Sequence, residues 1–434
     1  MKPVQIKIHK LGRIGESEVV TLNRFMLFSG ESGLGKSYLS IVCNYIFQVL
    51  SETGENSKLA NFIRDLFPSF EEMNLVVIKK AELEQWLAKA AIKWVGYMTH
   101  NDNIAGDIEI ALPETVPSQI KIEISKKSVQ SGASGNKRKY IRYVINNQEE
   151  YLFDESYISA VNRENPLSII IRDALSKAIL ETPQIHLRTF VFPPSRGAMF
   201  TERVEPLSGI YECFSKNIPD LFRARPYEVE PGSANMAMLN ALLDGEIRYE
   251  NSQLLYVTDN GTTLPLSAAA SSIRELTPFT FLLKNVPLKR VALMIDEPEA
   301  HLHPMKQRMM ADLLSGMCNA GAYLQVTTHS DYMIRRINEL VMKEQIYSLT
   351  KGGEGYAELC RRLQTPQELK LNPDFVSAYL LRKTGETSIV EKQDMTHGVP
   401  FVSFLDAIKE SLKMQDELSS TLSKLNGGED NEID

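Results

Sequence analysis

The octapeptide Gly30-Glu31-Ser32-Gly33-Leu34-Gly35-Lys36-Ser37 constrains the fold more than any other stretch of the chain. It has the form G-x-x-x-x-G-K-[ST]. Just before it, Phe25-Met26-Leu27-Phe28 is a short apolar run of the kind that makes a buried strand. Just after it, Tyr38 to Leu50 carries apolar residues at helical spacing without Gly or Pro. Strand, glycine loop and helix is the setting in which this pattern binds phosphate; a Gly/Ser turn with the same letters lacks those flanks. Gly30, Gly33 and Gly35 let successive backbone N–H groups turn inward, with Glu31, Ser32 and Leu34 completing the cradle. The helix that follows, with Tyr38 in its first turn, points its positive end at the same anion. Lys36 is expected to reach β- and γ-phosphates, and Ser37 to hold Mg²⁺.

A second anchor is Arg290-Val291-Ala292-Leu293-Met294-Ile295-Asp296-Glu297. A continuous apolar run ending in two acids predicts a buried strand with its carboxylates at the edge where a parallel sheet places its chemistry. Asp296 is expected to hold Mg²⁺ directly or through water, and Glu297 to polarise the attacking water as a general base. Tyr323-Leu324-Gln325-Val326-Thr327-Thr328 predicts the next strand. His329 at its end is expected to hydrogen-bond a γ-phosphate or the attacking water, against the plainer alternative of a structural histidine.

The 434 residues suggest two or three units. A net charge of -7 argues against a protein that coats nucleic acid over its whole surface, while leaving room for a local basic face. Four scattered cysteines lack metal-ligand spacing and read as buried thiols in a reducing compartment. No run approaches the roughly 20 apolar residues that span a bilayer, and the start does not read as a signal peptide, so a cytoplasmic protein with no membrane partner is expected.

Strands are predicted over 4–9, 17–21 and 25–28, then a helix from Ser37 to about Leu50. Residues 51–160 interrupt this pattern as an inserted mixed α/β subdomain, with helices over 59–67 and 80–98 and strands over 107–112, 119–125 and 140–146. Residues 130–139 read as an exposed loop whose Lys137-Arg138-Lys139, with Arg142, either touch phosphates or form a solvated hairpin tip. A helix over 165–181 and a strand over 188–192 follow. Residues 198–241 read as helical, broken at Pro219 and Pro226. Asp244-Gly245 and Asp259-Asn260-Gly261 predict the turns of a short antiparallel meander over 246–265. Helices are predicted over 268–283 and 304–319. The remainder reads as strands over 345–349, 376–381 and 388–392, a helix over 402–425 and a disordered acidic tail at 427–434.

At Asp296-Glu297-Pro298-Glu299-Ala300-His301-Leu302-His303-Pro304 the chain resembles the Walker B and D-loop segment of ABC-type AAA ATPases. These form the SMC-like group that includes OLD-family proteins and many bacterial anti-phage ATPases. Leu266 to Leu276 is similar to the signature segment, with Ile273 where the family often writes Gly after the serine pair. Thr327-Thr328-His329-Ser330 resembles the switch-histidine segment, and Phe192-Pro193-Pro194-Ser195-Arg196 a proline-and-arginine segment, in which Arg196 is given no role. The resemblance covers about 1–50 and 160–400, leaving 401–434 as a C-terminal helix and tail. It implies an α/β P-loop NTPase of ABC/SMC-head type with a mixed β-sheet. It further implies ATP and Mg²⁺ as ligands, and a homodimer that sandwiches two nucleotides. Ser271 and Ser272 would then donate to the γ-phosphate held by the other subunit; their plainer reading is a helix N-cap. His301 and His303, two apart and without a third ligand, are expected to make D-loop contacts rather than bind metal. An effector protein in trans, in phage defence or genome maintenance, is implied, with an SMC-type DNA-binding repair ATPase as the alternative. A fused Toprim nuclease is not expected, because no D-x-D follows His329.

Overall fold

The computed structural model describes all residues except 1–2, 70–72, 132–135, 159–163, 181–186, 202–208, 223–232, 396–397, 400–401 and 427–434. The predicted break at Pro226 and the acidic tail therefore lie outside the described residues. The chain opens with strands β1 (Gln5–Leu11), β2 (Ile14–Ser17), β3 (Val20–Thr21) and β4 (Phe25–Gly30), then helices α1 (Lys36–Ser51) and α2 (Lys58–Leu66). It continues through β5 (Leu75–Lys79), α3 (Lys80–Thr99), β6 (Gly106–Ala111), β7 (Gln119–Ser131), β8 (Asn136–Ile145) and β9 (Glu149–Asp154). Next come α4 (Glu155–Ile158), α5 (Pro166–Leu180), β10 (Arg188–Phe192), α6 (Ala198–Thr201), α7 (Gly209–Phe222) and α8 (Ala234–Leu243). A meander of β11 (Gly245–Glu250), β12 (Gln253–Thr258) and β13 (Thr263–Pro265) leads to α9 (Ser271–Asn285) and β14 (Val291–Asp296). The chain ends with α10 (Pro304–Asn319), β15 (Tyr323–Thr327), α11 (Asp331–Thr350), α12 (Glu354–Arg362), β16 (Val376–Thr384), β17 (Thr387–Lys392) and α13 (Val402–Asn426).

The main sheet has ten strands in the order β10-β14-β15-β4-β16-β17-β2-β1-β3, with β6 also on β1. Its first five strands run parallel, and the rest pair in mixed senses. All six residues of β4 and of β14 are buried. Their apolar runs are continuous because both faces of a parallel sheet are covered. The period of two sorts them between two cores. Met26, Phe28, Ala292 and Met294 join the layer built with α1, α3 and α5. Phe25, Leu27, Val291, Leu293 and Ile295 join the layer built with α7 to α11. Because the five strands are parallel, β4, β14, β15 and β10 deliver their carboxyl ends to one edge of the sheet.

The segment 51–160, expected as an insertion, feeds two sheets. β5, β7, β8 and β9 form an antiparallel sheet of their own, while β6 pairs with β1 over Gln5↔Ala111 to Leu11↔Gly106. The expected loop at 130–139 is instead largely strand, with β7 and β8 paired as far as Ser131↔Asn136. Within this hairpin Lys139 is exposed, and Arg142 bonds Glu150 at 3.1 Å. Residues 132–135 and the side chains of Lys137 and Arg138 lie outside the described residues.

Several local expectations are corrected. Residues 345–349 form no strand; they are the last turns of α11. Ile346 and Tyr347 favour strand in isolation, but the helical register set by Ile334, Ile337, Leu340 and Val341 continues unbroken to the left-handed cap at Lys351 (φ 52°). Pro219 lies inside α7, where only three residues follow it, so little helix depends on the N–H it lacks. Asp244 is the left-handed C-cap of α8, and the turn between β11 and β12 falls at Asn251-Ser252, both with positive φ. Residues 17–21 form two short pieces rather than one strand, and β5, β9 and α12 were not foreseen.

Candidate nucleotide site

The loop between β4 and α1 is shaped by its glycines. Gly30 sits at φ 129°, and a Cβ there would stand 2.3 Å from the Leu381 carbonyl oxygen on β16. Gly35, at φ 102°, is the N-cap of α1 and carries no side-chain cap, so the first N–H groups of the helix stay available to an anion. Leu34 is buried, and its carbonyl accepts from Ser388 Oγ on β17 at 2.6 Å, which ties the loop to the sheet.

Lys36 is buried and its Nζ donates to the carbonyls of Gly30 (3.1 Å) and Glu31 (2.8 Å). Burial pulls its pKa below the ordinary lysine value, while Glu297, Asp296 and Glu299 hold it up. Ser37 Oγ donates to both Asp296 oxygens, at 3.0 and 3.3 Å. Asp296, at the end of β14, also accepts from Thr327 Oγ1 on β15. Glu297 takes up a left-handed conformation (φ 49°), with its N–H held by the carbonyl and hydroxyl oxygens of Thr327, each at 3.2 Å. Its carboxylate lies 3.5 Å from His329 Nε2, and the same nitrogen lies 3.4 Å from Ser32 Oγ. Burial and the Lys36 ammonium hold His329 below the usual histidine pKa, against the opposing pull of Glu297 and Asp296.

One cleft of ≈ 340 Å³ therefore gathers Ser32, Gly33, Gly35, Lys36, Ser37, Tyr38, Asp296, Glu297 and His329. Gly30, Glu31 and Leu34 lie in the loop behind it. Ser271 and Ser272 do not line this cleft. They occupy the first turn of α9, whose N-cap is Ala270 without a side-chain bond, so the plainer alternative of a serine N-cap is not what they form here. His301 and His303 are exposed; His303 Nδ1 accepts from Met305 N as the cap of α10. Among the described residues no group of three or more His, Cys, Asp or Glu side chains is placed to hold a metal ion.

Three contributors escaped the sequence reading. Glu299 is buried, and its carboxylate accepts from Thr328 Oγ1 and His329 N, both at 2.7 Å, holding the histidine segment against the acidic turn. Burial raises its pKa against those hydrogen bonds. Thr327 braces both acids. Arg13 reaches over the cleft to the Gly33 carbonyl at 3.4 Å. Only Glu299 carried a signal, as a carboxylate two residues past the acid pair.

A glycine loop between a central parallel strand and a helix, with an acid at the end of a neighbouring strand facing the loop serine, defines the P-loop NTPase fold. Residues 225–334 match the family model of the AAA ATPase domain. That span contains α9, Asp296, Glu297 and His329, and not the loop at 30–37. No curated protein sequence matches the chain. Among solved structures it is similar to an SMC head bound to the C-winged helix domain of ScpA, with 12% identity and TM-score 0.40 over 91% of this chain and 98% of that one. It is similar also to an SMC head domain from Thermotoga maritima, with 10% identity and TM-score 0.35 over 91% and 100%. A third is an SMC head with an extended coiled coil bound to the C-terminal domain of ScpA, from Pyrococcus furiosus, with 11% identity and TM-score 0.38 over 96% and 100%.

Proposed function

We propose that the protein binds ATP with Mg²⁺ and hydrolyses it, as one half of a nucleotide-dependent homodimer that acts on an effector. The observation that carries this reading is the convergence of Lys36, Ser37, Asp296, Glu297 and His329 on one cleft. The residues fit both ligands. The uncapped helix and the glycine cradle, where a Cβ at Gly30 would strike backbone, suit a phosphate chain. The hydroxyl of Ser37 facing the Asp296 carboxylate is an oxygen donor set suited to Mg²⁺, which when bound neutralises charge on the β- and γ-phosphates.

In this scheme Lys36 leaves its loop carbonyls to hold the terminal phosphates, and Glu297 takes a proton from water. His329 beside it stays neutral near pH 7, so it can orient that water by donating or accepting one hydrogen bond. Ser271 and Ser272, with the open N-terminus of α9, would meet the γ-phosphate of the partner subunit's nucleotide. The assignment to phage defence or genome maintenance rests on the resemblance at Asp296 to Pro304. Phosphate release from ATP tests the chemistry: Mg²⁺-dependent turnover, lost on chelation, is expected, and a purified protein without turnover contradicts it.

A further inference from the structure

Arg196, at the end of the β10 loop, is fully buried, with 0% exposure. A buried guanidinium is costly unless its donors are used. Here Nε and Nη1 are spent on the main chain of three separate segments, while Nη2 is buried without a hydrogen-bond partner among the described residues. Nε donates to the Glu275 carbonyl in α9 at 3.0 Å, while Nη1 donates to the Pro193 carbonyl at 3.1 Å and the Asp296 carbonyl at 3.4 Å. Its nearest carboxylate, Glu275, stands at 3.8 Å, too far for a hydrogen bond, and the Phe279 ring centroid lies 5.6 Å away. The neighbouring Gly197 lets α9 approach closely: a Cβ there would stand 2.7 Å from the Arg274 carbonyl carbon and 2.9 Å from Glu275 N.

The Asp296 carbonyl belongs to the peptide that joins the two acids. That peptide is clamped at both ends, its C=O by Arg196 and its N–H by Thr327. It leads into the left-handed Glu297, a conformation that persists only where the surroundings hold it. The other arm of Arg196 grips the first turns of α9, four residues from Ser271. We infer that Arg196 is a positioning residue that couples the start of α9 to the peptide aiming Glu297, so that engagement of the serines sets the catalytic carboxylate. This rests on the ATPase reading above. A lysine would not reproduce it, because its three donors sit on one nitrogen, whereas these contacts are made from two nitrogens of a rigid planar fork.

The test is steady-state kinetics of Arg196→Lys beside wild type, with ATP affinity and melting temperature measured in parallel. Arg196 does not line the cleft, so affinity and KM within about threefold of wild type are expected, with kcat at least tenfold lower. In a cycle with Ser272→Ala, the double variant should lose little more than the worse single variant. Unchanged kcat, purely additive losses, or affinity and kcat falling together with the melting temperature would each overturn the inference. If Arg196→Lys does not fold, hydrogen exchange on the Glu297→Gln protein decides: ATP should change protection at 272–275 and 297–299 together, and a change in one segment alone overturns it. Wild-type protein that neither binds nor hydrolyses ATP would defeat the ATPase reading itself, whereas normal wild-type turnover with an indifferent Arg196→Lys defeats only the coupling.

Discussion

At the scale of single residues, the site is a small set of groups whose environments divide the work. Lys36 is a buried cation facing three carboxylates across the cleft, and its contribution is electrostatic. Charge-assisted hydrogen bonds contribute about 1.5–3 kcal/mol each. Lys36→Ala is therefore expected to lower ATP affinity by about 100-fold or more, by calorimetry; an unchanged affinity would sink the phosphate assignment. His329 is a pH-sensitive member. Its folded pKa lies below the ordinary value near 6.5, so the unfolded chain binds the proton first as pH falls. The stability it contributes is present above about pH 6.5 and is lost as pH drops through the folded value. An NMR titration of the nucleotide-free protein should place its midpoint below that of an exposed histidine, and a midpoint at or above 6.5 would contradict the burial argument. That Lys36, Ser37, Asp296 and Glu297 meet in one cleft was legible in the sequence because each ends or begins a recognisable run. The brace supplied by Thr327 and the clamp by Arg196 were not, since a threonine or an arginine bonding distant main chain leaves no local pattern.

At the scale of elements, what positions the site is the parallel half of the main sheet. The continuous apolar runs of β4 and β14 predicted buried strands, and both have residues of either parity packed in one of two cores. Leu293, with 0% exposure in the middle of β14, has no room to be shortened without a void. Leu293→Ala is expected to cost about 2–5 kcal/mol in chemical denaturation; a loss below about 1 kcal/mol would mean that the core around β14 is loose. The misread elements share a cause. The 345–349 run and Pro219 were judged on local propensity, and each was overridden by the helix already under way around it. The pairing of β6 with β1 joins residues about a hundred apart in sequence, which no single-chain pattern reveals.

At the scale of the molecule, two surfaces stand out beside the cleft. In the first turn of α9 Ser271 is exposed and Ser272 half-buried, and neither lines the cleft at the chain's own P-loop. In the proposed homodimer, a second copy would bring the nucleotide that these serines meet. The outer half of α13 exposes Leu412, Met414, Leu418 and Leu422. Among the described residues no helix is long and apolar enough to cross a membrane. Glu297→Gln removes the proposed base while keeping its size, so turnover should drop by about 10²–10⁴-fold with ATP still bound. ATP then becomes a ligand that favours the closed pair, and the pair should accumulate. The mass in solution of the Glu297→Gln protein, with and without ATP and Mg²⁺, tests this most directly. A shift from one species to a species of twice its mass on adding ATP is expected. An unchanged mass, with ATP bound, would contradict the shared site.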